Sequence, residues 1–251
     1  KGITGMESSH VIVEYPKIPP ISQKQLFLDI GVKSKEEAEA LGIRPGLPIT
    51  PDVAFEVMNN TERYCAKAFD DRLALAAIIT ALKNVSGEEL PCEVVFAATV
   101  QEEFWMVGSQ AVFASTHPEV VVNVEVGIAR DFPVIFPNHL SHQPCLGKGP
   151  SIFVYDSSML PSNGLVEYFV RLAQHNYIPF QYEGEGINFS QDGCRLQGSG
   201  CGTHVINLGI PTRYIHAPYG IADRFDFDKM VELLVCFLQS FDDDALKRLA
   251  P

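Results

Sequence analysis

Four short stretches carry side chains of the kind that hold cations or move protons. They are Phe69-Asp70-Asp71, Gln101-Glu102-Glu103, Glu125 and His216 within Arg213-Tyr-Ile-His-Ala-Pro218. Carboxylate oxygens and imidazole nitrogens are the usual ligands of Zn²⁺ and similar divalent ions. Each stretch also has an ordinary reading. An Asp-Asp pair before a helix serves as an N-cap with a favourable dipole contact. A Glu-Glu pair is commonly a solvated face, and a lone His a structural hydrogen-bonder. Together they point to a metal site, because all four fall at loop positions that one sheet edge would share. Other chemistries find no support. Gly147-Lys-Gly-Pro150 lacks the spacing of a phosphate loop and precedes a strand rather than a helix. No Gly-x-Ser-x-Gly elbow for a nucleophilic serine occurs.

In open α/β sheets, ligands gather beyond the carboxyl ends of the strands. The polar stretches follow that rule. Cys92–Val100 is an almost continuous apolar run that predicts a strand covered on both faces, and Gln101-Glu102-Glu103 follows it. Val120–Val126 predicts a second buried strand with Glu125 near its end. Ile210–Tyr214 predicts a third, just before His216. A helix over Leu73–Leu82 follows Asp70-Asp71. Further helices are expected over Val107–Ala114, Ser162–Asn176 and from about Asp226, with strands at Ser151–Tyr155 and near Phe180–Tyr182. The alternation predicts an α/β fold: a mixed, mostly parallel sheet with helices on both faces.

The first 64 residues read differently. His10–Tyr15 and Leu26–Ile30 look like short strands between Pro/Gly clusters. A helix over Ser34–Leu41 opens with the capping box Ser34-Lys-Glu-Glu37 and stops at Gly42. Residues 1–64 are therefore expected to form part of a small β-rich module, and 65–251 an α/β domain.

Composition narrows the function. With 46% hydrophobic and 20% charged residues, the 251-residue chain is not intrinsically disordered. Its net charge of −12, without a Lys/Arg stripe, argues against nucleic-acid binding. No apolar run approaches the roughly 18–20 residues of a membrane span. The most apolar stretch, Val231–Phe241, contains Glu232 and Gln239. The start Lys-Gly-Ile-Thr-Gly is not the apolar segment of a signal peptide. Six dispersed cysteines without a Cys-x-x-Cys pair fit reduced thiols and a cytoplasmic setting.

At the same residues the chain resembles the M42 family of metallo-aminopeptidases, which includes glutamyl and deblocking aminopeptidases and the tetrahedral TET peptidases. Collinear matches are Leu28-Asp-Ile-Gly31 with Ser34-Lys-Glu-Glu-Ala38, Lys67-Ala-Phe-Asp-Asp-Arg72, Ala98-Thr-Val-Gln-Glu-Glu103, Leu146-Gly-Lys-Gly-Pro150 and Ile210-Pro-Thr-Arg-Tyr-Ile-His216. The resemblance implies a zinc-exopeptidase-like catalytic domain with a β-rich dimerisation module. It implies two divalent ions per complete chain, zinc foremost with cobalt or manganese as alternatives. In that scheme Asp70 bridges the ions, Glu102 is the general base, and Glu103 and His216 are terminal ligands of one ion. Glu125 stands where the family usually has an Asp ligand of the other ion. Peptides are the implied substrates and self-association into a dimer or a TET-like dodecamer is expected, with neither nucleic acid nor membrane as partner.

The departures from the pattern are concentrated at the site. The family's first metal ligand is a His in an N-terminal segment that this sequence does not contain, Lys1 matching a point inside the dimerisation module. Phe104-Trp105 replace small residues, Gly220 stands where relatives carry an acid, and the Gly-Thr-Asp-Ala motif reads Ser190-Gln-Asp192-Gly193. The leading expectation is a metal-dependent aminopeptidase. The competing readings are a catalytically degenerate homologue acting as a binding or assembly module, and a related zinc exopeptidase or deacylase.

Overall fold

A computed structural model describes residues 3–5, 26–133, 144–184, 190–197 and 202–249. The chain falls into two compact units, residues 1–50 and 51–251. In the first, β1 (Ile3–Gly5) pairs antiparallel with β2 (Phe27–Asp29), and α1 spans Lys35–Ala40. The Ser34 hydroxyl accepts from the Glu37 N–H at 3.3 Å. The Glu37 carboxylate, however, accepts from the Lys33 N–H at 2.7 Å, so the return bond of the capping box lands one residue early. The strand expected over His10–Tyr15 lies outside the described residues.

The second unit is built on a seven-stranded mixed sheet. Its strands are β3 (Glu56–Val57), β4 (Arg63–Ala66), β5 (Val120–Ile128), β6 (Ser151–Tyr155), β7 (Gln181–Gly184), β8 (His204–Arg213) and β9 (Gly220–Asp223). The path runs β3-β4-β9-β8-β6-β7, and β5 pairs with β8. The parallel ladders are β5–β8 and β6–β7; the other pairings are antiparallel. The sheet is thus mixed as expected, with a smaller parallel share than alternation alone implies. β3 and β4, short and polar, belong to this sheet through the β4–β9 ladder rather than to the first module, because β4 finds its backbone partners there.

Helices cover both faces. They are α2 (Phe69–Asn84), α3 (Val107–Thr116), α4 (Asn163–His175), α5 (Asp192–Gln197), α6 (Arg224–Ser240) and α7 (Asp243–Lys247). The period of two along a strand sorts the residues between the faces. Val122, Val124 and Val126 of β5 and Ile206, Leu208 and Ile210 of β8 join the large core with α2, α4 and α6. Val121 and Val205 face a smaller cluster with Phe113 of α3 and Leu196 of α5. The odd-numbered positions 123, 125 and 207 therefore share the α3/α5 side, and three of them are polar: Asn123, Glu125 and Asn207.

The Gly147-Lys-Gly149 turn is structural. Asp226, in the first turn of α6, accepts from the Gly147 and Gly149 N–H groups at 2.7 Å each. Gly149 has φ +94°, and a Cβ there would lie 2.0 Å from the Pro179 carbonyl oxygen.

One expectation fails. Cys92–Val100 is not a strand. An apolar run becomes a strand only when a neighbouring backbone takes its N–H and C=O groups, and among the described residues no strand pairs with it. Val94, Val95, Phe96 and Val100 are consequently exposed, and the Val100 carbonyl instead accepts from the Gly108 N–H. The five described cysteines form no disulfide. Among the described residues no helix is long and apolar enough to cross a membrane.

Candidate functional site

The two aspartates open α2 in an irregular turn. Ala68 is left-handed at φ +52°, and neither Asp70 (φ −83°, ψ 105°) nor Asp71 (φ −120°, ψ 52°) is helical. Their side chains accordingly part company. Asp71 Oδ1 accepts from the Ala74 N–H at 3.3 Å and so caps the regular helix. Asp70 turns to His216, its Oδ2 lying 3.2 Å from Nε2. Glu103 Oε2 lies 3.4 Å from the same nitrogen. Asp70, Glu103 and His216 each offer one ligand atom, and these lie within 4.8 Å of one another.

The backbone around them is unusual. Ala68, Gln101, Trp105, Met106, Tyr214 and His216 all have positive φ, between +52° and +71°. Non-glycine residues seldom occupy that region, and where they do the surroundings must hold them. Five of them flank the two doublets or the histidine, and the sixth is the histidine itself.

Glu102 and Glu125 line the same cleft as the trio, of about 320 Å³. Glu102 is pushed up to about 7 by burial first, then by the charges of Asp192, Glu103 and Asp70. Glu125, at the α3/α5 face of β5, is driven well above the usual carboxylate range by burial and by Asp71. Asp71, hydrogen-bonded to Glu125, is pushed up to about 8, chiefly by burial. Asp70 is raised by burial and Glu103, against the opposing pull of His216. Many carboxyl groups so crowded call for a positive charge or a proton. The donor set suits a divalent cation at Asp70, Glu103 and His216: two carboxylates and an imidazole, convergent and accessible. A second ion would draw on Asp70 and Glu125, and Glu125 is instead bonded to Asp71.

A polar chain on the α3/α5 face leads to the cleft wall. Asp156 Oδ1 accepts from the Ser158 N–H, the Ser158 hydroxyl and the Met159 N–H. Its Oδ2 accepts from Asn207 Nδ2 at 3.1 Å. Asn207 Oδ1 accepts from Asn123 Nδ2 at 3.2 Å, across the β5–β8 ladder where the two residues are partners. The same Asn123 amide reaches Gln191 Oε1 at 3.3 Å. The chain fixes the Gln191 carboxamide with its oxygen turned inward, and the Gln191 Nε2 is buried without a hydrogen-bond partner. Asp192 beside it accepts from the Thr99 hydroxyl at 2.5 Å.

All five residues singled out from sequence therefore line one cleft: Asp70, Glu102, Glu103, Glu125 and His216. Three converge on a point, and of the other two Glu125 is buried and Glu102 partly so. Asp71 keeps the capping role that its place before a helix suggested. Gln191 and Asp192 were legible only as a motif; their signal is a polar doublet opening a helix opposite the acidic strand ends. Gly220 begins β9, where a Cβ would lie 3.2 Å from the Thr212 methyl and 3.3 Å from the Arg213 carbonyl, so a larger side chain there is crowded.

A family model described as M42 glutamyl aminopeptidase matches residues 1–233. The chain belongs to the M42 family. The putative aminopeptidase FrvX of Escherichia coli K12 is 30% identical over 237 residues, covering 94% of this chain and 65% of that protein. A TET aminopeptidase from the marine archaeon Thaumarchaeota archaeon SCGC AB-539-E09 superposes with a TM-score of 0.91 at 31% identity, covering 99% of this chain and 69% of the other. The Pyrococcus horikoshii TET1 peptidase, described as assembling into a tetrahedron or a large octahedral shell, gives 0.80 at 27% identity, covering 96% and 68%. This M42 chain spans 60% to 65% of the length of the curated relatives it matches.

Proposed function

We propose that this M42 chain carries the catalytic site of a metal-dependent aminopeptidase that removes N-terminal residues from peptides. The observation that carries the reading is the convergence of Asp70, Glu103 and His216 with Glu102, raised to about 7, in the same cleft. A divalent ion at those three residues supplies Lewis acidity toward the scissile carbonyl and acidifies a water near it. Zinc is the first choice for such ligands. Asp70 and Glu125 would hold a second ion once Glu125 gives up its bond to Asp71.

The chain's own residues do the rest. Glu102 sits one residue from a ligand yet outside the trio, so it is free to take a proton from the attacking water. A carboxyl near neutrality can then pass that proton to the leaving amine. The surrounding acids attract the free amine of a peptide N-terminus. Residues 1–64 are assigned a part in self-association, by analogy with the TET relatives. Six dispersed cysteines without a Cys-x-x-Cys pair fit a cytoplasmic protein.

The test pairs two variants. Zinc content is measured by elemental analysis, and hydrolysis with aminoacyl p-nitroanilides. Glu102→Gln should retain zinc and lose turnover by about 10²–10⁴-fold, the worth of a positioned base. His216→Ala should lose zinc. Loss of zinc in Glu102→Gln, or unchanged turnover in both, refutes the assignment. A second reading is favoured by one observation, the Asp71–Glu125 bond that occupies a second-ion ligand. If the parent chain binds no zinc and hydrolyses nothing, it is a degenerate homologue serving binding or assembly.

A further inference from the structure

The segment after Glu103 turns two large aromatic side chains outward. Phe104 and Trp105 are 69% and 68% exposed, and both line the cleft. Rings so exposed bury little of their own surface, and the backbone holds them there. The Phe104 N–H donates to the Gln101 carbonyl at 3.3 Å, the Met106 N–H to Glu102 at 3.0 Å and the Gly108 N–H to Val100 at 3.0 Å. Trp105 and Met106 are both left-handed, at φ +71° and +53°. Met106 is anchored in turn by a 3.6 Å contact of its sulfur with the Cys194 thiol. The same cleft is floored by Met106, Val126 and Ile215.

Charge defines what this wall does not accept. Among the described residues no Lys or Arg lines the cleft, and its carboxyl members are Asp70, Glu102, Glu103 and Glu125. The unpartnered donor at the wall, Gln191 Nε2, is a neutral amide. A carboxylate brought in on a substrate side chain would meet like charge without a cationic side chain to receive it. An aromatic or branched aliphatic side chain would instead cover exposed rings and gain offset-stacked or edge-to-face contact.

We propose that Phe104 and Trp105 form the wall that receives the first side chain of the substrate, so that this site selects peptides with a large apolar N-terminal residue and discriminates against an N-terminal Glu or Asp. This rests on the aminopeptidase reading and assigns its substrate class. The selection is by surface and charge: the free amine faces the acids, the first side chain lies against the rings.

Trp105 is the sole tryptophan of the chain, so its emission reports occupancy of the wall directly. The whole protein is titrated with the dipeptides Phe-Ala and Glu-Ala at pH 7, and the zinc-loaded protein is assayed with Phe- and Glu-p-nitroanilide. Phe-Ala should shift and saturate the emission, and Glu-Ala should bind at least tenfold more weakly. Phe104→Ala, checked for folding by circular dichroism, should weaken Phe-Ala at least fivefold with little change toward Glu-Ala. Equal hydrolysis of both anilides overturns the inference and leaves the aminopeptidase reading standing. Selective binding of Phe-Ala without hydrolysis of either anilide supports the wall and overturns the reading. No emission change with Phe-Ala, or binding of Glu-Ala as tight, overturns the wall.

Discussion

Replacing Asn207 by Asp tests the polar chain that ends at Gln191. Asn207 is fully buried and donates to Asp156 Oδ2 at 3.1 Å. The substitution is isosteric, so packing is kept and only a donor becomes an acceptor. As an anion the new side chain would lose a hydrogen bond to a charged group, worth about 1.5–3 kcal/mol. It would also face a second carboxylate at that distance, a repulsion of roughly 5 kcal/mol at an effective dielectric constant near 20. Taking up a proton is cheaper. For a carboxyl with an ordinary value near 4, protonation at pH 7 costs about 4 kcal/mol, and the O–H then restores the bond to Asp156. The predicted loss at pH 7 is therefore capped near 4 kcal/mol. The folded-state pKa of the introduced group lies above its unfolded value, so the folded chain holds one more proton. Stability relative to the parent must recover as pH falls, by about 1.4 kcal/mol per unit, and the deficit should vanish below about pH 4. Urea unfolding of parent and variant at pH 5, 6 and 7 measures this. A deficit that does not change with pH, or no deficit at pH 7, would show that Asn207 is not donating to Asp156.

Two further outcomes follow from the Gly147-Lys-Gly149 turn. Gly149→Ala puts a Cβ 2.0 Å from the Pro179 carbonyl at φ +94°, and should cost more than about 3 kcal/mol in thermal or urea unfolding; a loss below about 1 kcal/mol would contradict the close approach. Asp226 is pushed by burial up to about 7, despite the N–H donors of Gly147 and Gly149. Its folded value lies above the unfolded 3.8, so the folded chain keeps a proton that the unfolded chain releases. Between pH 4 and 7 the parent should lose about 1.4 kcal/mol of stability per unit of rising pH relative to Asp226→Asn. Parallel pH–stability curves for the two proteins would refute that shift.

Elements whose pattern is strong in sequence lie where it places them. Ser162–Asn176 reads as a helix with an Asn stop, and α4 runs Asn163–His175 with Asn176 as its C-cap. Val120–Val126 is apolar enough to be a buried strand, and it becomes β5. The failures share a cause, which is that local composition does not contain the partner. Cys92–Val100 is as apolar as β5 but has no neighbouring strand among the described residues. β9 is a four-residue strand with no alternation of its own, held by β4 and β8 on either side. At the site, strand ends and doublets pointed to five residues that do share a cleft. The Asn123–Asn207–Gln191 chain was illegible, since its members are far apart in sequence and meet only through the β5–β8 register.

The two acidic doublets show how a backbone divides labour between chemically similar neighbours. In each, one carboxyl pairs with the His216 imidazole and its neighbour does not share that contact. Asp70 and Glu103 lie within 3.4 Å of His216 Nε2, and the Glu103 side chain is 60% exposed. Asp71 and Glu102 are lifted to about 8 and about 7, chiefly by burial. Residues in an ordinary helix would not separate so sharply, because successive side chains there differ by only about 100°. The non-helical angles of Asp70 and Asp71 do it in one doublet. In the other, left-handed Gln101 before Glu102 and left-handed Trp105 after Phe104 bracket the turn. On the proposed reading a ligand must reach the cation in ionised form, whereas a base working near neutrality gains from partial burial beside other acids. With Glu102 as the proposed base and Glu103 as the proposed ligand, the two roles fall on adjacent residues, and the positive φ values are where the chain bears the strain of that arrangement.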